Sequence, residues 1–312
     1  MIYIDPPLWP AHNTLFSHLV SDVSLAELHR FAGEAGIAPR AFDRDHYDVP
    51  ARRHRDLVAR GAVAVDAGTL VRTLIRSGLR IRARERSASL VHPLLDRWEA
   101  VLPGNQELGV ELLNRWGEPH RRYHDRRHLL AVLEALADIA AGPLPRPVLL
   151  AAWFHDAVYE GSAGADEEAS ALLAERLLAQ AGCPEPEIRE TARLVRLTAG
   201  HRPEPGDTAG ELLCDADLSV LGRRPADYAR YIADVRSEYR QLDDAAFAAG
   251  RLLVVRHLLS LEPLFSTAAG RARWQEQARR NLGAETTGAV FPAQIHRADN
   301  GSNQADFDGS SS

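Results

Sequence analysis

Three short runs of imidazole and carboxylate residues lie far apart in this chain. They are Tyr123-His124-Asp125-Arg126-Arg127-His128, Phe154-His155-Asp156-Ala157-Val158-Tyr159 and Cys214-Asp215-Ala216-Asp217-Leu218. Each stands in or beside a helical pattern, so separate helices could carry them to one point. Mixed oxygen and imidazole donors suit a divalent metal ion (Mn, Fe, Ni, Co, Zn or Mg), and the two cysteines, Cys183 and Cys214, are too few for a structural zinc cluster or a disulfide framework. His155-Asp156 follows the apolar run Val148 to Phe154 and is expected inside that helix. Burying an unpaired carboxylate there costs on the order of several kcal/mol, which a metal ion, or a neighbouring Arg or His, would offset. His124 and His128 are four residues apart and share a face if the helix begins before them. The same spacing occurs in His-Glu-x-x-His metalloproteases, but Asp125 stands where their glutamate would be. Of Asp215 and Asp217, one is expected at the metal and the other at a cap or a supporting position.

The elements that must position these residues are mostly helices. Apolar residues recur at three and four positions in 88–101, 106–116, 126–140, 147–159, 166–181, 187–198, 210–221, 225–241, 244–260 and 268–282. Turn signals such as Pro103-Gly104, Gly142-Pro143 and Gly182-Cys183-Pro184 divide them, and no strand pattern interrupts them. The chain before them reads differently. Short strands are expected at 2–5, 41–42, 62–65 and 79–81, alternating with helices from Ser24 to Ala35, Pro50 to Arg60 and Ala67 to Ser77. Ser24 and Glu27 read as a capping box. The chain is thus mainly α: a small α/β domain over 1–82, an Arg-rich linker at 83–89, an all-helical domain over 90–285 and a disordered tail over 286–312.

The small domain has a polar cluster of its own: His12, His18, Asp22, Asp43, Asp45, His46 and Asp48. His12, His18, Asp22 and His46 are the candidates for a second binding site, and a helix there would put His18 and Asp22 on one face. Helix and turn capping around the prolines accounts for the same residues.

With 45% hydrophobic residues the chain can bury a real core. Its formal net charge of -6 speaks against nucleic acid as the main partner. All 37 basic residues are arginine. The N-terminus has no basic region or long apolar run, so no signal peptide or membrane span is expected, and two unpaired cysteines suit a reducing cytoplasm.

A first His, then a His-Asp pair, then a distal Asp resembles the HD-domain superfamily of metal-dependent phosphohydrolases. The resemblance covers about residues 90–285. It is carried by Arg121-Arg122-Tyr123-His124 with His128, Trp153 to Tyr159, Glu167 with Ser170, and Asp215 to Gly222. Tyr228, Tyr231, Arg236 to Tyr239, Gly250-Arg251 and Ala278 to Leu282 continue it. It implies metal ligands His124, His155, Asp156 and Asp217, with Asp217 preferred over Asp215 because it follows a small residue. Asp156 is expected to help deprotonate water. His128, His201 and Asp215 are candidates for a second metal or the substrate, and Glu167 for orienting a ligand or water. His201 could equally meet a helix C-terminus, and Glu167 could equally be a solvated helix start. Arg121, Arg236 and Arg251 are candidates for phosphate, since a guanidinium matches it bidentately, although Arg236 could instead pair with Glu238. Separately, Met1 to Pro7, Phe16 to Leu19 and Asp45 to Pro50 resemble a small bacterial domain family of unknown function covering about residues 1–82.

The expected activity is hydrolysis of a small phosphorylated molecule, such as a nucleotide, by metal-activated water. Two rivals stay open. One is a nucleotide-binding sensor with a structural or vestigial metal site. The other is a di-iron oxygenase of the same fold, which would need His128 and His201 as extra ligands.

Overall fold

A computed structural model describes residues 1–11, 14–43, 45–77, 79 and 87–287. The chain begins with a small α/β unit whose sheet has the order β4-β5-β3-β1-β6. At its centre is β3 (Thr14–Ser21), paired antiparallel with β1 (Ile2–Ile4) on one side and β5 (His46–Pro50) on the other. The short β2 (Trp9–Ala11) folds back on β3, β4 (Phe42–Asp43) lies outside β5, and β6 (Val63–Ala64) runs parallel to β1. Helices α1 (Leu25–Glu34), α2 (Ala51–Ala59) and α3 (Ala67–Arg76) contribute Leu28, Leu57 and Leu74 to a core shared with Ile4, Leu19 and Val49.

Three of these strands, β2, β3 and β5, lie outside the expected set. Leu19 and Val20 are consecutive and both fully buried, so β3 is covered on both faces at this end. Burial on both faces removes the alternation by which a strand is recognised. His18 is consequently on a strand and Asp22 beyond its end, so the two do not share a helical face. Half of the expected capping box forms. Ser24 Oγ accepts the Glu27 N–H, but the Glu27 carboxylate accepts from the Ser21 hydroxyl and the terminal amine. Most of the strand expected at 79–81, the linker residues 83–86, and the tail from 288 onward lie outside the described residues.

Beyond a 3-10 turn at Ser87–Leu90 the described residues contain no strand. The helices are α4 (Val91–Val101), α5 (Gln106–Arg115), α6 (Arg126–Ile139), α7 (Arg146–Phe154), α8 (Ala165–Gln180), α9 (Glu185–Leu197) and α10 (Thr208–Asp217). They enclose one large core in which Trp98, Trp116, Trp153 and Phe154 are fully buried. A 3-10 turn, Leu218–Gly222, leads to α11 (Pro225–Glu238) and α12 (Asp244–Ser260). Then α13 (Ala268–Gly270) passes through a π turn, Arg271–Gln275, into α14 (Glu276–Thr286). A second core, around Tyr228, Phe265 and Leu282, joins this group.

Three helix ends fix the chemistry. Asp125 is the N-cap of α6, its carboxylate accepting the Arg127 N–H at 2.8 Å, so His124 precedes the helix. Helix α7 ends at Phe154 rather than 159, which puts His155 at its C-cap and Asp156 in the following turn, not in the helix interior. Helix α10 ends on Asp217.

Candidate metal centre

These ends meet. His128, from the first turn of α6, brings Nε2 to 3.2 Å from His155 Nε2 and 3.0 Å from Asp217 Oδ1. His155 Nε2 is 3.2 Å from Asp156 Oδ2 and 3.6 Å from Asp217 Oδ1, and His128 Nε2 is 3.6 Å from Asp156 Oδ2. Donors held about 2.1 Å from one divalent ion stand about 3.0 Å apart at right angles and about 3.4 Å apart at tetrahedral angles. The observed separations match both. His155 Nδ1–H donates to the Ala152 carbonyl at 3.0 Å, which fixes the tautomer and leaves a lone pair on Nε2 facing the cluster. Two imidazole nitrogens and two carboxylate oxygens then face one another, a donor set that a cation at its centre would bridge. The donor set therefore fits a divalent metal ion. His201, in the left-handed region at φ 51°, reaches the other oxygen of Asp217 at 2.8 Å.

The surroundings hold these groups still. The Arg121 guanidinium is fully buried between the rings of Trp116 and Tyr159. It donates to the carbonyls of His124, Asp156 and Ala157 and to Glu118, tying the turn after α7 to the loop before α6. Ser170 Oγ accepts the Val158 N–H and donates to the Val158 carbonyl, clamping the same turn to α8. Asp166 accepts three successive backbone N–H groups, from Glu160, Gly161 and Ser162. Glu238, at the end of α11, accepts the N–H groups of Arg122, Tyr123 and His124 through one oxygen, and His124 Nδ1–H and the Tyr159 hydroxyl through the other.

Charge follows geometry. Burial works against a proton on His155, but the carboxylates of Asp156 and Asp217 outweigh it and raise its pKa well above the ordinary range. Burial likewise opposes charge on the two aspartates, and the imidazoles, His155 foremost, hold both below the usual carboxylate range. Glu238 is buried too, yet His124 and the three amides bring it down to about 2. Tyr123 stays a neutral phenol: burial and the hydroxyl of Tyr231, with Asp217 and Asp156, push its pKa up.

Of the residues singled out in the sequence, His128, His155, Asp156, Asp217 and His201 come together. His124 stands beside them, its ring 5.7 Å from that of His128, with Nδ1 on Glu238. Asp215 points elsewhere: it accepts from the backbones of Ser266 and Thr267 and from the hydroxyl of Thr267, the residue that caps α13. Glu167 accepts the Gly164 N–H and caps α8. None of the three expected phosphate arginines offers a spare fork. Arg121 is the buried clamp just described, Arg236 is bonded to Asp244 and to the carbonyls of Tyr239 and Leu242, and Arg251 lies buried against Glu285, Tyr228 and Tyr231. Glu238 pairs with His124, not with Arg236. Glu238 is the support that sequence reasoning missed, because its partners lie 79 to 116 residues earlier in the chain.

In the small domain, His18 and His46 lie together with Asp48, while Asp22 binds the terminal amine and the Tyr3 hydroxyl. His12 lies outside the described residues.

Residues 2–77 match a family described as a protein of unknown function, DUF4031. The match covers the small domain and stops short of the helical region. No curated protein and no solved structure matches the chain. Among the described residues no helix is long and apolar enough to cross a membrane.

Proposed function

We propose that the helical region is a metal-dependent phosphohydrolase acting on a small phosphorylated molecule, a nucleotide being one such substrate. The observation that supports it most is the approach of His128 Nε2 and His155 Nε2 to each other and to both Asp156 Oδ2 and Asp217 Oδ1, at 3.0–3.6 Å. A divalent ion held by these four would supply Lewis acidity, bringing the pKa of water toward neutrality and offsetting charge that develops on a phosphoryl group.

The chain's own residues do the rest. Asp156 turns Oδ2 to the imidazoles and is partly open to solvent, so its other oxygen is the acceptor for the proton of the attacking water. His201 holds the outer oxygen of Asp217 and so fixes the plane of that carboxylate. Tyr123, kept as a phenol beside the two aspartates, is a neutral hydrogen-bond donor for a phosphoryl oxygen. Arg223 is exposed and near enough for its charge to be felt at the Tyr123 hydroxyl. Its charge is the one we propose for the substrate phosphate, in place of Arg121, Arg236 and Arg251.

The test is metal content and hydrolysis together. Wild type and His155→Ala are reconstituted with Mn2+, analysed for bound metal, and assayed against phosphomonoesters, phosphodiesters and nucleotides. The variant is expected to hold one ion fewer per chain and to lose at least about 100-fold in turnover. A natively folded, metal-loaded wild type that hydrolyses none of these esters would sink the phosphohydrolase reading and favour a binding module.

A further inference from the structure

The sheet of the small domain brings a second set of donors together by a different route. Strand β5 carries His46 and Asp48 two residues apart, so both side chains leave the same face. Register then places His18 of β3 directly opposite Asp48, on that same face. The alternate residues Leu19, Tyr47 and Val49 point the other way, into the core. His18 Nε2 is 3.7 Å and His46 Nε2 is 3.4 Å from one and the same oxygen, Asp48 Oδ1, and the three donor atoms lie within 4.8 Å of one another.

Each imidazole is also held from behind. His18 Nδ1 is 3.0 Å from Oδ2 of the buried Asp5, whose other oxygen accepts the His18 backbone N–H, while Trp9 Nε1 donates to Asp5 at 3.1 Å. His46 Nδ1 is 2.6 Å from Oδ1 of the buried Asp45. A carboxylate behind Nδ1 takes the ring proton and leaves a lone pair on Nε2. Two such lone pairs and a carboxylate oxygen then face one another. The separations are again those of ligands about 2.1 Å from a shared ion.

We propose that the small domain holds a divalent first-row transition-metal ion of its own, ligated by His18 Nε2, His46 Nε2 and Asp48. Three protein ligands leave coordination positions free. Asp48 lines a cleft of about 520 Å3 together with Trp9, Phe16, Phe42 and Arg40, so those positions are reached from solvent. The site lies wholly within residues 2–77 and does not depend on the helical centre or on its proposed activity.

The test uses the full chain carrying Asp156→Ala and Asp217→Ala, which removes the helical centre. After chelator treatment this protein is titrated with Co2+, followed by visible absorption, and with Zn2+ by calorimetry. One equivalent is expected to bind. Adding His46→Ala is expected to weaken it at least about 100-fold, and Asp48→Asn at least about 10-fold. Asp48 is half exposed at the cleft, so its substitution is read even if His46→Ala fails to fold. No Co2+ or Zn2+ uptake by the folded background protein overturns the site and makes the cluster a proton-bridged ion-pair network. Undiminished uptake after Asp48→Asn overturns the ligand assignment.

Discussion

The helical cluster draws four donors from three helix ends, and they span residues 128 to 217. The sheet cluster draws three from two hydrogen-bonded strands, spanning residues 18 to 48. In the sheet, backbone register alone sets the spacing: an i, i+2 pair and one cross-strand neighbour are on the same face wherever such strands pair. Among the helices no local rule brings the donors together. Their meeting depends on how α6, α7 and α10 pack and on remote clamps, chiefly Arg121 and Glu238. The helical centre is also the more enclosed, with His128 and His155 buried, whereas Asp48 opens to a cleft. Register-built sites should therefore tolerate remote substitutions that packing-built sites do not.

The largest effect is expected at Asp217. Asp217→Ala removes the partner of His128, His155 and His201 at once and should abolish metal uptake at the helical centre, read by elemental analysis. Asp215→Ala, two residues away, should keep the metal and only lower the melting temperature. Equal metal loss in both would erase the distinction between the two aspartates.

Next comes Arg121→Ala, which leaves three carbonyls in a buried gap without their donor. The expected loss is about 3–5 kcal/mol, seen as a melting midpoint roughly 10 °C lower, together with weaker metal binding although Arg121 is not a ligand. Sheet-site binding should be unchanged in the same protein. If both sites weaken together, the contrast between packing and register fails.

Glu238 gives a pH signature. Its carboxyl is held down to about 2 from an ordinary value of 4.5, so its stabilisation is fully present above 4.5 and is lost as pH falls toward 2. The full contribution is on the order of 3 kcal/mol. Metal-free wild type should lose stability over that window in denaturant melts, and Glu238→Gln should flatten that slope. An unchanged slope would show that other carboxylates carry the acid sensitivity.

Asp5→Asn should weaken Co2+ binding at the sheet site by about 10-fold without abolishing it, because register still places His18. Smallest of all is Asp22→Asn. It loses a partly exposed ion pair with the terminal amine, worth under about 1 kcal/mol, and should leave metal binding at both sites untouched. A metal defect there would mean that His18 and Asp22 act together after all.

Much of this was legible in advance. Nine of the ten helical segments expected beyond the linker match the apolar periodicity to within a few residues at each end, because each buries one stripe against a core, and that stripe is local information. The exception is the expected helix 147–159, which stops at Phe154 once the chain must turn to present His155 and Asp156. The central strand β3 was not legible, since its end is buried on both faces and shows no alternation.

The donor types, their order along the chain and the helices beside them are local information. Tertiary structure alone decided which member of each neighbouring pair is used. Asp125 caps α6, so His128 lies on the helix and reaches the cluster, while His124 precedes the helix with Nδ1 on Glu238. Helix α10 aims Asp217 at the imidazoles and Asp215 at α13, because two residues along a helix are about 200° apart. His18 found Asp48 rather than Asp22 because strand pairing, not spacing, sets its neighbours. Such choices depend on contacts between residues distant in sequence, and periodicity, which reads one segment at a time, has no access to them.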